Sequence, residues 1–317
     1  MNIRYLLKRL VLVALTVLCA TFLTFVLLRL TPGDPAQLIL QKVFVGTEEY
    51  TGSETERAAV VERYQLDRPL ASQYWDWLSG AVKLDLGYSY TSGQGVGHEL
   101  SLRLWPTMSL ALSALGLSLV FTLLAGLAYN LSNRNIIKGG VDFLIITGIA
   151  IPGFYLALIL VLVFSLWLDM LPVSGYGGFE HYILPTITLA LTIFGYTTTI
   201  LNDSAADIRS RPFILTARSK GLSPGTLFRR HILRNAMVPV APYAALQLGY
   251  MLGGVVVVET VFSWPGIGKY LVDAIESKDV PVIQACVAVI AILFSLANLA
   301  ADLVLWMLDP RVRYGEQ

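Results

Sequence analysis

Six apolar segments, each of about 20 residues or more, restrict how this chain can fold. They lie at 9–30, 105–129, 141–168, 182–203, 237–259 and 282–307. A helix needs about 20 apolar residues to cross the hydrocarbon core of a bilayer, because each residue rises about 1.5 Å. The sequence therefore predicts an all-α polytopic membrane protein with six transmembrane helices. The third segment contains Pro152 and Gly153, so we expect it to be tilted or kinked.

The composition supports the same class. Only 14% of the residues are charged, 55% are hydrophobic, and the mean hydropathy is +0.64. Soluble domains carry about 25% charged residues. The net charge of +1 gives no general attraction to nucleic acid. The first apolar segment is too long for the core of a signal peptide and no A-x-A cleavage site follows it, so we expect it to remain as the first helix.

The distribution of basic residues predicts the orientation. If the N-terminus is cytoplasmic, 14 Lys and Arg residues lie on the cytoplasmic side, against two in the short external connections. Segment 31–104 is left out of this comparison, because long loops cross the membrane regardless of charge. Both termini are therefore predicted to be cytoplasmic. The chain is predicted to be a single transmembrane domain, 1–317, with an external segment at 31–104 and a cytoplasmic loop at 204–236.

The external segment is acidic, with ten Asp or Glu residues against six Lys or Arg. We interpret it as a soluble segment with short helices at ETERAAVVERYQL and SQYWDWLSGAV. The cytoplasmic loop has the opposite charge, with seven Lys or Arg residues at 204–236.

The cytoplasmic loop contains a predicted short helix, RPFILTARSKGL. Pro212 suits its first turn and Gly221 suits its C-terminal cap. A Ser-Pro-Gly turn follows, and TLFRRHILRNAMVP begins a second helix that runs toward the membrane. The apolar residues of the short helix are Phe213, Ile214, Ala217 and Leu222, and the basic ones are Arg218 and Lys220. Such a helix either lies on anionic lipid or docks into a groove on a soluble partner.

Polar residues at the ends of the spans are further candidates. Glu259 ends the fifth span and either lines a pathway or caps the outer end. Asn298 and Asp302 share a face of the last span, and an intramembrane carboxylate faces the bundle interior or a cavity. We favour a packing role for this pair, with Arg311 or Arg313 as a partner of Asp302.

Motifs of catalysis and metal binding are missing from the sequence. No Walker A motif, Ser-His-Asp arrangement or metalloprotease spacing is present, so we predict no catalytic residue and no ATPase activity in this chain. Of the three histidines, His98, His181 and His231, only His181 suggests a metal-entry site, and a surface position is the simpler interpretation. Cys19 and Cys286 cannot form a disulfide framework and do not resemble a metal site.

The loop sequence TARSKGL, followed by RRHILRNAMVP, resembles the cytoplasmic coupling loop of ABC importer permeases. The similarity is greatest to the peptide, dipeptide and nickel permeases. It extends over nearly the whole chain, through LTPGDPA (30–36), YQLDRPLASQYWDWLSGAVKLDLGYSY (64–90), ETVFSWPGIGKYLVDAI (259–275) and NLAADLVLWMLDPRVR (298–313). Against the general form of this loop, only Ala217, Gly221 and Leu233 match, and Arg211, Pro212 and Phe213 stand where the peptide and nickel branch often has an acidic residue and Tyr.

The resemblance implies a permease subunit of an ATP-driven importer in the inner membrane of a prokaryote. Its partners would be a homologous second permease, two cytoplasmic ATPase subunits that bind ATP and Mg²⁺, and an extracytoplasmic binding protein. This chain would bind no cofactor or metal. The residues at the ATPase dock would be Phe213, Thr216, Ala217, Arg218, Lys220, Gly221 and Leu222.

The resemblance also implies an outer gate, although an ordinary interfacial turn is the alternative. Its residues would be Glu259, Phe262, Trp264, Pro265, Gly266 and Gly268. Aromatic side chains suit the membrane interface, and proline with glycine interrupts the helix.

The substrate and the class of transporter leave alternatives. The short connection 169–181 favours nickel or a metal chelate, with a short peptide as the alternative. An ion-coupled secondary transporter would need charged residues in the middle of the spans, and these are almost absent there. A structural or sensory subunit that transports nothing is the third class.

Overall fold

The computed structural model describes residues 3–30, 36, 40, 54–63 and 67–308. These residues are nearly all helical, and among them β pairing is confined to an isolated antiparallel bridge between Tyr88 and Gly95. The helices are α1 (Ile3–Leu30), α2 (Glu54–Arg63), α3 (Leu70–Val82), α4 (Val96–Leu131), α5 (Asn135–Ala150), α6 (Gly153–Leu160), α7 (Phe179–Arg209), α8 (Pro212–Ser219), α9 (Pro224–Leu227), α10 (Arg234–Val261), α11 (Ile267–Glu276) and α12 (Val280–Leu308). Two π-helical turns, Val161–Trp167 and Phe228–Leu233, follow α6 and α9. The predicted all-α fold is confirmed.

Among the described residues, five helical segments are long and apolar enough to span a membrane. They are Leu7–Leu30, Val96–Leu131, Phe179–Arg209, Pro224–Val261 and Val280–Met307. The pair Asn135–Ala150 and Gly153–Trp167 passes the same test together. Counting that pair as one span gives the six that the sequence predicts.

The third span is bent much more sharply than a kink. The helix axis changes direction by 115° between the two halves. The expectation of a tilted or kinked helix is therefore corrected to a break between two helices. Ile151 (φ −88°, ψ 121°) and Pro152 (φ −56°, ψ 138°) both have extended backbones between the halves. A proline disfavours the helical conformation in the residue before it and has no N–H to donate, so the helix stops and restarts.

Helices extend beyond the predicted apolar segments. The second span begins at Val96 and the fourth ends at Arg209, because hydropathy marks the part inside the bilayer and not the end of the helix. Most of the predicted loop 204–236 is therefore helical. The second helix predicted there is confirmed, since the fifth span already begins at Pro224.

The chain divides into two compact units. One contains Thr107–Trp264 and the chain from Leu293, and the other contains Ile3–Pro106 and Pro265–Ile292. Within the first unit, apolar side chains of α4, α7 and α10 form a buried core around Leu110, Ile193 and Val255.

Helices α5 and α7 of the first unit pack with their backbones close together. A Cβ atom added to Gly148 of α5 would lie 2.4 Å from the carbonyl oxygen of Leu191. A Cβ atom added to Gly195 of α7 would lie 2.8 Å from the carbonyl oxygen of Ile145. Small residues at such crossings allow the close approach from which helices in membranes gain their van der Waals contact.

Candidate functional site

Helix α8 lies in the basic loop where the sequence predicts a short helix. Pro212 occupies its first turn, where its missing N–H costs nothing. Gly221 follows the helix with φ +78°, the left-handed conformation that ends many helices and that glycine adopts without strain. The start and stop predicted from these two residues are confirmed.

One face of α8 is buried in the chain itself. Ile214 is 2% exposed and Ala217 is 8% exposed. Both belong to an apolar cluster whose other members come from α7, α9, the π turn after α9, and α10, namely Leu201, Ala205, Ile208, Leu227, Phe228, Ile232, Ala236 and Val240. Leu222 is half-buried and packs against the same cluster. Ala217 and Leu222 therefore fix α8 to the chain, and Ala217 does not supply a surface for a partner as the sequence suggested.

The opposite face of α8 is exposed and partly apolar. Phe213 is 47% exposed and Leu215 is 58% exposed. Thr216, Arg218, Lys220 and Gly221 are exposed as well. Sequence reasoning missed Leu215, although its position out of register with Ile214 and Ala217 indicates a second apolar face.

Polar contacts fix the base of α8 to the preceding span. Arg209 donates to the backbone oxygen of Asn130 at 2.8 Å, and the Asn130 amide donates to Asn202 Oδ1 at 2.9 Å. Arg211 pairs with Asp207 at 2.8 Å. The Asp207 carboxylate raises the pKa of Arg211, because it accepts a hydrogen bond from the guanidinium and carries the opposite charge. The side chains before α8 are therefore held in place at the end of α7.

At the other end of the fifth span, the chain turns through Phe262, Ser263 and Trp264. Phe262 is 2% exposed and Trp264 is fully buried, so the interpretation of both as membrane-interface residues is corrected. The Trp264 ring meets the rings of Tyr176 and Tyr182 edge-on at 4.7 and 4.5 Å. Gly175 N donates to the Phe262 oxygen at 2.8 Å. The connection 169–181 is thus attached to this turn.

Glu259 lies one turn earlier and is fully buried. Its carboxylate accepts a 2.7 Å hydrogen bond from the Thr107 hydroxyl, and its backbone oxygen accepts one from Trp264 N at 2.7 Å. A buried carboxylate is costly unless it is hydrogen-bonded. The Glu259 side chain therefore joins α10 to α4 inside the first unit.

Replacing Glu259 by alanine should lower the melting temperature of the detergent-solubilised protein by about 3 °C, since it leaves the buried Thr107 hydroxyl without this acceptor. Glu259→Gln keeps an acceptor oxygen and should retain most of the stability. Equal melting temperatures for the alanine variant and the wild type would contradict this role of Glu259.

Helix α11 follows the turn, as the sequence predicts. Gly266 and Gly268 are buried and Pro265 is half-buried. Within the second unit, the Arg103 guanidinium lies over the Tyr270 ring at 4.1 Å. Burial raises the pKa of Tyr270 to about 12, and the positive charge of Arg103 acts in the opposite direction. Tyr270 is therefore neutral at physiological pH.

The turn between α11 and α12 is attached to segment 31–104, which is predicted to be external. Asp279 is 2% exposed and accepts hydrogen bonds from the Ser89 hydroxyl at 2.6 Å and from Thr91 N at 3.0 Å. Within the second unit, this hydrogen bond joins Ser89 to Asp279, which lie 190 positions apart in the sequence.

The remaining candidates are dispersed. Asn298 and Asp302 are half-buried on α12, and the suggested partners Arg311 and Arg313 lie outside the described residues. His181 is 3.5 Å from Glu180. Within the part of the chain that the structure describes, no three His, Cys, Asp or Glu residues are grouped as a metal site would require.

A cleft of about 680 Å³ lies between α4 and α7. It is lined by Ser113, Gly116, Leu117, Val120, Phe179, Tyr182, Ile183, Thr186 and Ile187. Ligand pockets have volumes of about 300–1,000 Å³. The Ser113 and Thr186 hydroxyls in its wall are 3.3 Å apart. Sequence reasoning missed this cleft, because its residues come from two helices about 70 positions apart.

Comparison with known proteins decides the family. Residues 118–314 match the family of binding-protein-dependent transport system inner membrane components, and residues 2–111 match the N-terminal part of such components. The chain belongs to this family. It is the permease component of an ABC importer and an inner-membrane protein of the peptide and nickel type, and it is not itself an enzyme.

Similar proteins span the whole chain. The glutathione transport system permease protein GsiC of Escherichia coli K12 is 37% identical over 317 residues, which cover 98% of this chain and 99% of that protein. The protein of the same name from Salmonella typhi is 36% identical over 316 residues, with the same coverage. A crystal structure of an amino acid ABC transporter with histidines matches with a TM-score of 0.51 and 19% identity, over 67% of this permease and 94% of that chain. That likeness supports the fold.

Proposed function

We propose that this permease forms half of the import pathway for a short peptide of the glutathione class. The observation that carries this proposal is the 37% identity to glutathione permeases over 98% of the chain. The similarity covers 98% of the chain, whereas the nickel hypothesis rests on the length of one connection, 169–181. The nickel hypothesis remains the alternative that the experiment below tests.

The permease would act as a single domain, 1–317, beside a homologous second permease. Two ATPase subunits holding ATP and Mg²⁺ would bind beneath the pair, and an extracytoplasmic binding protein would deliver the substrate. Closure of the ATPases would move α8, and rigid-body motion would expose the pathway to each side in turn.

The docking surface for the ATPase is the exposed face of α8. Docking into a groove on a protein partner is favoured over contact with lipid, because the burial of Ile214 and Ala217 holds α8 in a fixed position on the chain. On the other face, Phe213 and Leu215 supply apolar contact area, and Arg218 and Lys220 supply charge. Apolar anchors surrounded by charged residues are typical of protein interfaces.

The outer gate would comprise residues Glu259 to Gly268. Its support is the burial of Phe262 and Trp264 in the core, because a turn fixed in this way moves with the helices that carry it. The cleft between α4 and α7 is large enough for a small peptide and is proposed as part of the pathway.

The test is import by the complete transporter in proteoliposomes, isolated with its own ATPases and binding protein. Glutathione should stimulate ATP hydrolysis and accumulate inside the vesicles. Glutamate, cysteine and glycine given separately are the matched controls, because together they contain the same groups without the peptide bonds. Stimulation by nickel and not by glutathione would overturn the peptide proposal.

A further inference from the structure

Helix α3 lies in the segment that the sequence interprets as soluble and external, yet it packs against a membrane span. The Tyr74 hydroxyl is 3.0 Å from the Thr21 hydroxyl and 3.3 Å from the Leu18 backbone oxygen. The Tyr74 ring is 5.6 Å from that of Phe22 and 5.5 Å from that of Phe25. All four of these α1 residues belong to the span Leu7–Leu30.

The position of these contacts along α1 gives the depth of α3. Thr21 lies nine residues before Leu30, or about 14 Å along the helix axis. Phe25 lies five residues before it, or about 8 Å. The hydrocarbon core is about 30 Å thick. With Leu30 placed at the edge of the hydrocarbon core, the Tyr74 side chain lies below the lipid headgroups on the Leu30 side of the bilayer.

The sequence of α3 has the pattern of a helix at the membrane surface. Successive residues of an α-helix are rotated by about 100° around its axis, and this places the apolar residues of α3 on one half of the circumference and the polar residues on the other. The apolar half contains Leu70, Ala71, Tyr74, Trp75, Trp77, Leu78, Ala81 and Val82. The polar half contains Ser72, Gln73, Asp76 and Ser79, and Asp76 pairs with Arg68 at 2.6 Å.

The apolar half divides into a packed part and an exposed part. Tyr74 contacts α1 and stacks on Trp77 with the ring centroids 6.2 Å apart. The exposed stripe consists of Ala71, Trp75 and Val82, with the half-buried Leu78 between Trp75 and Val82 on the same side of the helix. Within the chain, Trp75 is 67% exposed and Val82 is 79% exposed.

Helix α1 also exposes apolar side chains beside α3. At the same depth, α1 exposes Phe22 (53%), Leu23 (59%) and Leu27 (60%). Interfacial helices bury their apolar face about 5–10 Å into the boundary between headgroups and acyl chains. The Tyr74 ring contacts Phe25 at about 8 Å from Leu30, and the Tyr74 hydroxyl extends deeper, to Thr21 at about 14 Å. Tryptophan and tyrosine are the residues that concentrate at this boundary.

We propose that α3 is an interfacial membrane helix. Its exposed stripe rests on the acyl chains of the outer leaflet, given the predicted orientation, and its polar half faces the headgroups and water. The helix anchors the external segment to the bilayer beside α1. This assignment replaces the interpretation of that part of the segment as soluble.

The test uses fluorescent labels on single cysteines of the complete importer in lipid vesicles. Trp75→Cys and Val82→Cys place the label on the stripe, and Ser72→Cys and Ser79→Cys are matched controls on the polar half of the same helix. Cys19 and Cys286 are replaced by alanine in all four variants. Lipids with a quencher on the acyl chain near the headgroup should quench the label at 75 and 82 at least threefold more than at 72 and 79. Iodide in the buffer should show the reverse order.

Two results would overturn the assignment. Equal quenching by iodide at all four positions would show that the stripe faces water. Protection of positions 75 and 82 from both quenchers would show that another protein chain covers them. Val82 lies at the end of α3, so its label reports on the stripe even if the loss of the Trp75 ring disturbs local packing. ATP hydrolysis by each variant confirms that the labelled importer is assembled.

Discussion

Replacing Gly148 by valine should lower the melting temperature of the solubilised permease by about 5 °C. The added Cβ would lie 2.4 Å from the backbone oxygen of Leu191. A backbone atom cannot rotate away as a side chain can, so α5 and α7 must separate. Overpacking of this kind costs about 1–3 kcal/mol, and the clash with backbone places Gly148 at the upper end. A loss of about 3 kcal/mol corresponds to the stated shift.

Gly139 supplies the matched control on the same helix. A Cβ atom there would meet nothing within 4 Å, so Gly139→Val tests the change in residue type without the clash. Its melting temperature should remain within about 2 °C of the wild type. If Gly148→Val and Gly139→Val melt together, the close packing of α5 on α7 is not what stabilises this unit.

Replacing Leu215 by aspartate should reduce the affinity of the permease for its ATPase at least tenfold. Leu215 is 58% exposed on α8, so the change leaves the buried cluster intact. Removing an apolar anchor from an interface commonly costs 2 kcal/mol or more, and about 1.4 kcal/mol is a factor of ten in affinity. The measurement is the amount of ATPase that copurifies with a tagged permease, together with substrate-stimulated ATP hydrolysis.

Two further variants separate docking from folding. Ile136→Asp places the same charge on a residue that is 82% exposed in the predicted cytoplasmic connection 130–140, and it should leave ATPase binding unchanged. Ile214→Asp charges a residue that is 2% exposed, and it should destabilise the permease itself. Normal ATPase recovery with Leu215→Asp would refute the docking surface.

Gly221→Arg is a less direct test of the same surface. It should also uncouple transport without loss of membrane insertion, but Gly221 has φ +78°. Any other residue there strains the backbone and adds its own cost. Gly221→Ala, which adds the strain without the bulk, is its matched control.

The sequence predicts features that depend on local chemistry. Pro212 and Gly221 are enough to place the ends of α8, because each acts through its own backbone. The lengths of the apolar segments are enough to predict the number of membrane spans. The sharpness of the bend at Pro152 was not predicted, since a proline allows a kink or a break and the packing of both halves decides which forms.

Features that depend on packing were harder to predict. Trp264 has an apolar body and one N–H group, so the membrane interface and a buried core suit it equally, and the neighbouring Tyr176 and Tyr182 decide the outcome. Leu215 was not among the apolar residues assigned to α8 from the sequence, and its exposure follows from the burial of Ile214 and Ala217 on the opposite face. The depth of Tyr74 follows from its contact with Thr21, 53 positions away, which no local pattern reveals.

The helical segment from Pro224 to Val261 connects the region next to α8 with the turn at Trp264, so a movement at one end can be transmitted to the other. Its departures from regular α-helix, the π turn Phe228–Leu233 and the prolines 239 and 242, all lie in the half next to α8. The 19 residues from Tyr243 to Val261 form an arm about 28 Å long without a proline. If the helix pivots near Pro242, each degree of rotation moves the far end of the arm by about 0.5 Å. A movement of α8 caused by the proposed ATPase subunits would therefore displace the turn at Trp264, and the length of the arm would set the size of that displacement.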